Sequence, residues 1–180
     1  MRVIYRGGTR RPLFMLVADD DEDDWEFIAS ALREVGGNRV VFVHDGQELL
    51  DYLRLRGAHA ASAGRHHPDL VILDLKMPRM GGAEVLDEIR ADPGLAGLPV
   101  VVLTTSTSED ELNDSYARGA NSVISKPSSF RGLVEVLRGV RTYWADVVSL
   151  PTPGMTVLGS AAPRFARPAD GRGHRPGFQA

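Results

Sequence analysis

Four short apolar runs in this chain each end on a polar residue that can take part in chemistry. Asp19 and Asp20 follow LFMLVA, Asp74 follows DLVIL, Thr104 follows PVVVL and Lys126 follows NSVIS. An apolar run that stops on a polar residue is typical of a buried parallel strand whose last residue faces a cleft. Because open parallel sheets bind ligands outside the carboxyl ends of their strands, we expect these side chains to share one pocket. Carboxylates, a hydroxyl and an ammonium group together can bind a divalent cation and a phosphoryl group.

The first of these endings opens a run of six acidic residues, from Asp19 to Asp24. Acids favour the first turn of a helix, which explains Glu22 to Asp24 but not the two residues directly after the strand. Two carboxylates about 4 Å apart repel each other by a few kcal/mol at an effective dielectric constant near ~20. Placing them beside Asp74 therefore requires a compensating cation. Oxygen ligands in a chain without cysteine favour Mg²⁺ or another hard ion.

Asp74 is the candidate nucleophile. The residues after it, LKMPRMGG, predict a loop rather than a helix start, because Pro78 and the pair Gly81-Gly82 favour turns. Such a loop wraps the carboxylate and leaves one oxygen exposed near a metal. That environment suits a carboxylate that accepts a phosphoryl group as an acyl phosphate, with the metal bridging the carboxylate and phosphoryl oxygens.

Thr104 and Lys126 complete the predicted pocket. Thr104 can donate its hydroxyl to a phosphoryl oxygen, although a threonine at this place is also an ordinary β-branched strand residue. Lysine is rarely buried without a partner, and Lys126 at the tip of the fifth strand would face the aspartates. Pro127 directly after it predicts a special peptide geometry, such as a cis bond, that aims the side chain.

The rest of the chain alternates strand and helix patterns and predicts a doubly wound α/β fold with helices on both faces of the sheet. The spacing predicts strands over 12–18, 39–43, 69–73, 99–103 and 121–125. It predicts helices over 23–35, 46–56, 82–91 and 108–118, and a last helix from Ser129 to Val148. Ser108 and Glu111 predict a capping box at the fourth helix. Residues 57–68 are predicted to be a loop without periodicity.

The composition limits the possible partners of the protein and its expected location in the cell. No apolar run approaches the ~20 residues of a membrane span, and the N-terminus has no secretory signal pattern, so we expect a cytoplasmic protein that does not bind membranes. Arginines concentrate in a basic arm (1–11) and in a Pro/Gly/Arg-rich tail (151–180), which we expect to be disordered. Because the whole chain carries −3, the segment 12–150 is strongly acidic and poorly suited to nucleic acid.

As a set and in this order, the motifs DDD, DLKMP, TT and KP, each after a strand, resemble the receiver domain of bacterial two-component response regulators. The resemblance covers about residues 12–150 and implies a flavodoxin-like fold of five βα units with sheet order 2-1-3-4-5. The stretches HDGQELLDYL, GANSVISKP and YWADVVSLP are similar to a subgroup of small single-domain regulators. That subgroup is often paired with phytochrome-type sensor histidine kinases.

The resemblance implies a role for each candidate residue. Asp74 would accept the phosphoryl group from a kinase histidine, Thr104 would rotate onto a phosphoryl oxygen, and Lys126 would pair with that oxygen. The implied Mg²⁺ ligands are Asp20, Asp19 through water, Asp74 and the backbone carbonyl of Lys76. A protein of this kind is not an enzyme in the usual sense, because it catalyses only its own phosphorylation and dephosphorylation.

The chain also departs from the usual receiver pattern. Gly81-Gly82 stands where many receivers have Asp-Gly, Val123 stands where a switching aromatic is common, and Thr105 is bulkier than the alanine often found there. These differences predict a looser loop, a switch that does not use an aromatic rotamer, and slower entry of hydrolytic water.

Three classes of function stay open from the sequence. The first is a phosphoacceptor switch that changes partner binding. The second is a receiver-fold binding module that works without phosphorylation. The third is an aspartyl phosphohydrolase, which the sequence disfavours because Lys76 stands where such enzymes use a second acid. The apolar stripe ending in Tyr143, Trp144, Val147 and Val148 predicts either a homodimer surface, formed with the fourth helix and fifth strand, or simply a cover for the helix's own sheet.

Overall fold

The structure is a computed structural model that describes residues 12–62 and 67–150. The predicted arm (1–11) and tail (151–180) lie outside the described residues. The strands are Leu13–Ala18 (β1), Asn38–Val43 (β2), Leu70–Leu73 (β3), Val100–Thr104 (β4) and Ser122–Ser125 (β5). The α-helices are Glu22–Val35 (α1), Gly46–Leu53 (α2), Gly82–Ala91 (α3), Glu109–Ala117 (α4) and Phe130–Arg141 (α5).

The five strands form one parallel sheet in the order β2-β1-β3-β4-β5, which confirms the predicted fold class and strand order. The register aligns the carboxyl ends of the central strands, because Ala18 pairs with Leu73 of β3 and with Val43 of β2. Residues that directly follow these paired positions therefore start from the same edge of the sheet.

The sheet has a hydrophobic core on each face, as expected for a doubly wound fold. Alternate residues of β1 point to opposite faces, and all six are buried. One core lies under α2 and α3 and includes Phe14, Leu16, Ala18, Leu49, Leu50, Val85, Leu86 and Ile89. The other lies under α1 and α5 and includes Leu13, Met15, Val17, Ile28, Leu32, Leu133, Val134 and Leu137. None of the helices in the described ranges is long and apolar enough to cross a bilayer.

Three predicted boundaries were wrong. The second helix, predicted over 46–56, ends at Leu53. The segment predicted as a loop after α2 begins with a 3₁₀ helix, Gly57–Ser62. The last helix does not continue unchanged to Val148, because α5 ends at Arg141 and a π-helical stretch follows over Thr142–Val147. In this wider stretch Trp144 packs against the core, whereas Tyr143 and Val147 stay exposed.

The capping box predicted at α4 does not form. Ser108 is the N-cap residue, as expected, but its side chain makes no capping hydrogen bond. Glu111 instead lies near Lys76 of the β3–α3 loop, with 3.9 Å between its Oε2 and the Lys76 Nζ.

Asp45 caps α2 and ties it to the β3–α3 loop. Its buried carboxylate accepts a hydrogen bond from the Glu48 backbone N–H at 2.9 Å and pairs with Arg79, whose backbone is in the left-handed region at φ 63°. Burial acts to raise the pKa of Asp45, but the Glu48 N–H and the Arg79 guanidinium outweigh it, so the pKa lies below its ordinary value of 3.8.

Replacement of Asp45 by alanine should lower the free energy of unfolding by about 1–2 kcal/mol at pH 7, because a helix cap and an ion pair are lost. Since a lowered folded-state pKa stabilises the protein above the unfolded value, the difference from wild type should shrink as the pH falls below 3.8. Urea denaturation at several pH values measures both effects. Gln47→Ala, an exposed change in the same helical turn, is the control, and equal losses in the two variants would contradict the prediction.

Candidate functional site

Two carboxylates lie side by side at the carboxyl edge of the sheet. The Asp19 N–H donates to the Val43 carbonyl at 3.2 Å, and the Asp74 N–H donates to the Ala18 carbonyl at 2.9 Å, so both residues extend the strand pairing by one step. Asp19 is only 3% exposed and Asp74 is half-buried. The backbone thus fixes two acids next to each other.

Lys126 brings the fifth strand into the same site. Its backbone N–H donates to the Thr104 carbonyl at 2.7 Å, and its side chain is 6% exposed. The ammonium donates to Asp19 Oδ2 at 2.7 Å and also pairs with Asp24 in the first turn of α1. The predicted burial and pairing of this lysine are confirmed, but the cis bond before Pro127 was a wrong prediction, because the peptide is trans.

The charges of the site do not balance. Burial raises the pKa of Asp19 even though Lys126 donates to it. Burial, followed by the charge of Asp19, raises the pKa of Asp74, while Lys126 and the Lys76 N–H act in the opposite direction. Burial acts to lower the pKa of Lys126, but its two carboxylate partners raise it overall. The single ammonium group of Lys126 therefore offsets the negative charge of three carboxylates, and the charge of Asp74 is offset least.

Thr104 ends β4 and is fully buried. Its Oγ1 accepts a hydrogen bond from the Ser106 N–H at 3.1 Å, which fixes the turn that leads into α4. A hydroxyl that accepts one hydrogen bond still carries its own hydrogen, so Thr104 keeps a donor for a ligand. Thr104 thus lies at the carboxyl end of β4, and its side chain fixes the start of the following loop.

The loop after Asp74 folds back against it, as the sequence predicted. The Lys76 N–H donates to Asp74 Oδ2 at 3.1 Å, and the Gly82 N–H donates to the Leu75 carbonyl at 3.0 Å. A Cβ atom on Gly82 would lie 2.5 Å from the Asp74 carbonyl oxygen, so no larger residue fits at this position without a shift of the backbone.

The predicted metal ligands are only partly assembled. Asp19 and Asp74 are adjacent, whereas Asp20 is exposed, and no group of three acidic, histidine or cysteine side chains among residues 12–62 and 67–150 is arranged to hold a metal ion. The donor set nevertheless fits a hard divalent cation, because two neighbouring carboxylates have pKa values raised by burial, and for Asp74 also by mutual repulsion.

Sequence reasoning missed Asp24 as part of the site. It treated this residue as one of several acids that favour a helix N-terminus. A usable signal was its position one helical turn after the strand-end acids, which places it above the same edge of the sheet.

The sequence model of the response regulator receiver domain family matches residues 15–138. The chain belongs to this family. It is 37% identical over 143 residues to the probable methanogenesis regulatory protein FilR2 of Methanothrix harundinacea, which covers 79% of this chain and 90% of that protein. It is also 31% identical over 141 residues to response regulator Rcp1 of Synechocystis, covering 78% of this chain and 94% of Rcp1.

Solved receiver structures have the same fold. The phosphorylated cyanobacterial phytochrome response regulator RcpA is similar with a TM-score of 0.71 and 35% identity, over 78% of this chain and 99% of RcpA. The Mn²⁺-bound form of Rcp1 is similar with a TM-score of 0.69 and 30% identity, over 78% and 100% of the two chains. The described part is therefore a single receiver domain of the two-component type, close to phytochrome response regulators, and a signalling module rather than a conventional enzyme.

Replacement of Asp74 by asparagine should stabilise the metal-free protein by about 1 kcal/mol at pH 7, because it removes a buried charge that Asp19 repels. The sign follows from the raised pKa, since a carboxyl that binds its proton more tightly when folded lowers stability once it is ionised. Urea denaturation in the presence of a chelator measures the effect.

The exposed variant Asp23→Asn, which removes the same charge from the first turn of α1, is the control for net charge. Saturating Mg²⁺ should reduce the difference in the free energy of unfolding between wild type and Asp74→Asn. If Asp74→Asn is less stable than Asp23→Asn without metal, the repulsion assigned to this site is wrong.

Proposed function

We propose that the protein is a response regulator that accepts a phosphoryl group on Asp74 in a Mg²⁺-dependent reaction and then changes its binding to a partner. The observation that carries the proposal is the placement of Asp74 beside buried Asp19 and within the electrostatic reach of the Lys126 ammonium. Membership of the receiver family and likeness to phosphorylated RcpA support it.

The chain's own residues do the following in that reaction. A carboxylate oxygen of Asp74 forms a bond to phosphorus, the bond between phosphorus and the donor's histidine nitrogen breaks, and its electron pair returns to the imidazole. The Lys76 N–H orients the carboxylate from one side, with 3.1 Å between its nitrogen and Asp74 Oδ2. The Thr104 hydroxyl and the Lys126 ammonium then bind oxygens of the transferred group.

Asp19, Asp20, Asp74 and the backbone carbonyl of Lys76 would hold the cation. Held there, Mg²⁺ would supply positive charge that offsets the negative charge of the reacting groups. The Mn²⁺-bound form of Rcp1 supports a divalent-metal site in this chain. Burial raises the pKa values of Asp19 and Asp74, and such a cation would lower them again.

The proposed phosphoryl donor is a sensor histidine kinase of the phytochrome type, since the similar RcpA is named as a cyanobacterial phytochrome response regulator. We place the reaction in the cytoplasm, and we expect neither nucleic acid nor membranes as partners because the receiver domain is acidic. The phosphoryl group carries roughly −1.5 to −2 charges but replaces the charge of the carboxylate, so the site gains about −0.5 to −1. A complete reversal of a 1:99 equilibrium requires about 5.5 kcal/mol, so we expect the partner to complete a partial shift.

Incubation with acetyl phosphate and Mg²⁺ should add one phosphoryl group to the wild-type chain, as read by intact mass. Asp74→Asn should abolish the adduct because the nucleophilic oxygen is gone, and a chelator should prevent it in wild type. Asp23→Asn, whose carboxylate is exposed, should retain it. Absence of an adduct in wild type would favour the phosphorylation-independent binding module, and multiple turnover of external phosphate esters would favour a hydrolase.

We also propose that a second copy of the chain covers the end of α5. The α5 stripe of Leu133, Val134, Leu137 and Val140 is already buried on the sheet, so that part of the predicted dimer stripe covers its own domain. Beyond it, Tyr143 and Val147 are 51% and 55% exposed and line a shallow pocket with Glu135 and Arg138. In a two-fold arrangement Glu135 of one copy can face Arg138 of the other, with α4 and β5 at the rim.

Replacement of Tyr143 by serine should weaken this dimer at least tenfold, because it removes a large exposed ring from the centre of the proposed contact. Gel filtration over a dilution series, with and without acetyl phosphate, measures the dissociation constant. Gln47→Ala, exposed in α2 on the other face of the sheet from α5, is a control for surface change. A wild-type chain that elutes only as a monomer under both conditions would exclude the dimer.

A further inference from the structure

Asp24 makes a contact that the proposed chemistry does not use. Its carboxylate, 35% exposed, pairs with the Lys126 ammonium, whose own side chain is 6% exposed. The two residues are 102 positions apart, and the contact joins the first turn of α1 to the end of β5. Among the carboxylates that touch this ammonium, Asp24 is the more exposed, since Asp19 is 4% exposed by its side chain.

The two carboxylates that pair with Lys126, those of Asp19 and Asp24, differ in their other contacts. Asp19 sits at the strand end beside Asp74, and its Oδ1 also accepts the Asp21 N–H at 3.1 Å. Asp24 lies on the helix above and contributes a charge to Lys126 without being next to Asp74 in the sheet. A cation that neutralises Asp19 and Asp74 therefore leaves Asp24 as the acid that still holds the lysine.

We propose that Asp24 is a positioning residue that holds Lys126 in the unphosphorylated protein and competes with the phosphoryl group for its ammonium. This inference rests on the proposed function and adds a residue to it. Phosphorylation of Asp74 places three strongly accepting oxygens within reach of Lys126. The ammonium has three hydrogens, and two of them already go to Asp19 and Asp24. A second bond to the new group therefore requires the loss of a bond to Asp19 or Asp24. The partly exposed Asp24 is the partner that water can replace, so it is released first.

The position of Asp24 makes it suited to this role. It lies at the N-terminal end of α1, where the helix dipole and the solvent both stabilise its charge after Lys126 has left. Next to it, the Trp25 Nε1–H donates to the Asp19 carbonyl at 2.7 Å, so the first turn of α1 is held against the strand end. A contact other than the ion pair therefore helps to keep Asp24 near the strand end.

The test measures the affinity of the full chain for fluoroberyllate, a phosphoryl mimic, by calorimetry at a saturating concentration of Mg²⁺. Asp24→Asn should bind it about two- to fivefold more tightly than Asp23→Asn, the range expected when one competing, partly exposed ion pair is removed. Both variants lose one acid from the same helical turn, so their comparison removes the effect of net charge. Asp24→Glu, which restores a carboxylate, should return the affinity towards that of wild type.

A variant pair in the Lys126→Met background separates competition from other effects. There, Asp24→Asn and Asp23→Asn should change the affinity equally, because the lysine for which Asp24 competes is absent. Equal affinities of the two variants with Lys126 present, or weaker binding by Asp24→Asn, would overturn the inference and leave the proposed function intact. If the wild-type chain binds no fluoroberyllate with Mg²⁺ and takes up no phosphoryl group, the proposed function fails and this inference fails with it.

Discussion

The site depends on an electrostatic imbalance that the sheet enforces. Asp19 and Asp74 follow residues that are paired in adjacent strands, and their own backbone N–H groups continue that pairing, so the two acids cannot move apart without breaking the sheet edge. Lys126 compensates part of the charge but is shared with Asp24. Buried like charges cost stability, and a protein keeps them only where a ligand supplies the missing charge. The repulsion between Asp19 and Asp74 therefore lowers stability and favours a cation beside the two acids.

The elements next to this edge of the sheet differ in how rigidly they are held. β1 is buried along its whole length between two cores. The residues of the candidate site follow the strands with no intervening loop, so their positions are rigid. By contrast, α4 buries only Ser115 and follows directly on the turn fixed by Thr104 and Ser106. Elements with few buried contacts are the ones that move at low free-energy cost. The turn that Thr104 and Ser106 fix thus connects the rigid site to α4, a helix that is only weakly held.

The sequence predicted the sheet and most of the site because the relevant information is local. Each strand is a short apolar run, and the residue after it must lie at the carboxyl edge, which located Asp19, Asp74, Thr104 and Lys126 without any knowledge of long-range contacts. Features that depend on distant partners were missed or wrong. The α4 capping box does not form, and the pairing of Lys126 with Asp24 joins distant segments that the packing of α1 beside α5 brings together. The π-helical end of α5 likewise reflects where Trp144 meets the core, which helical periodicity alone does not encode.

Position 123 is a valine and not an aromatic residue, but Tyr116 of α4 reaches the same strand. The Tyr116 hydroxyl accepts a hydrogen bond from the Val123 backbone N–H at 3.1 Å, so an aromatic side chain reaches the edge strand from the neighbouring helix. Tyr116 is also one of the exposed large hydrophobic residues of the described chain. A displacement of α4 relative to β5 must either carry this hydrogen bond along or break it. Because the ring is fixed at one end to β5 and at the other to the helix, movement of α4 would change how much of the ring the surface presents, without any change of rotamer at position 123.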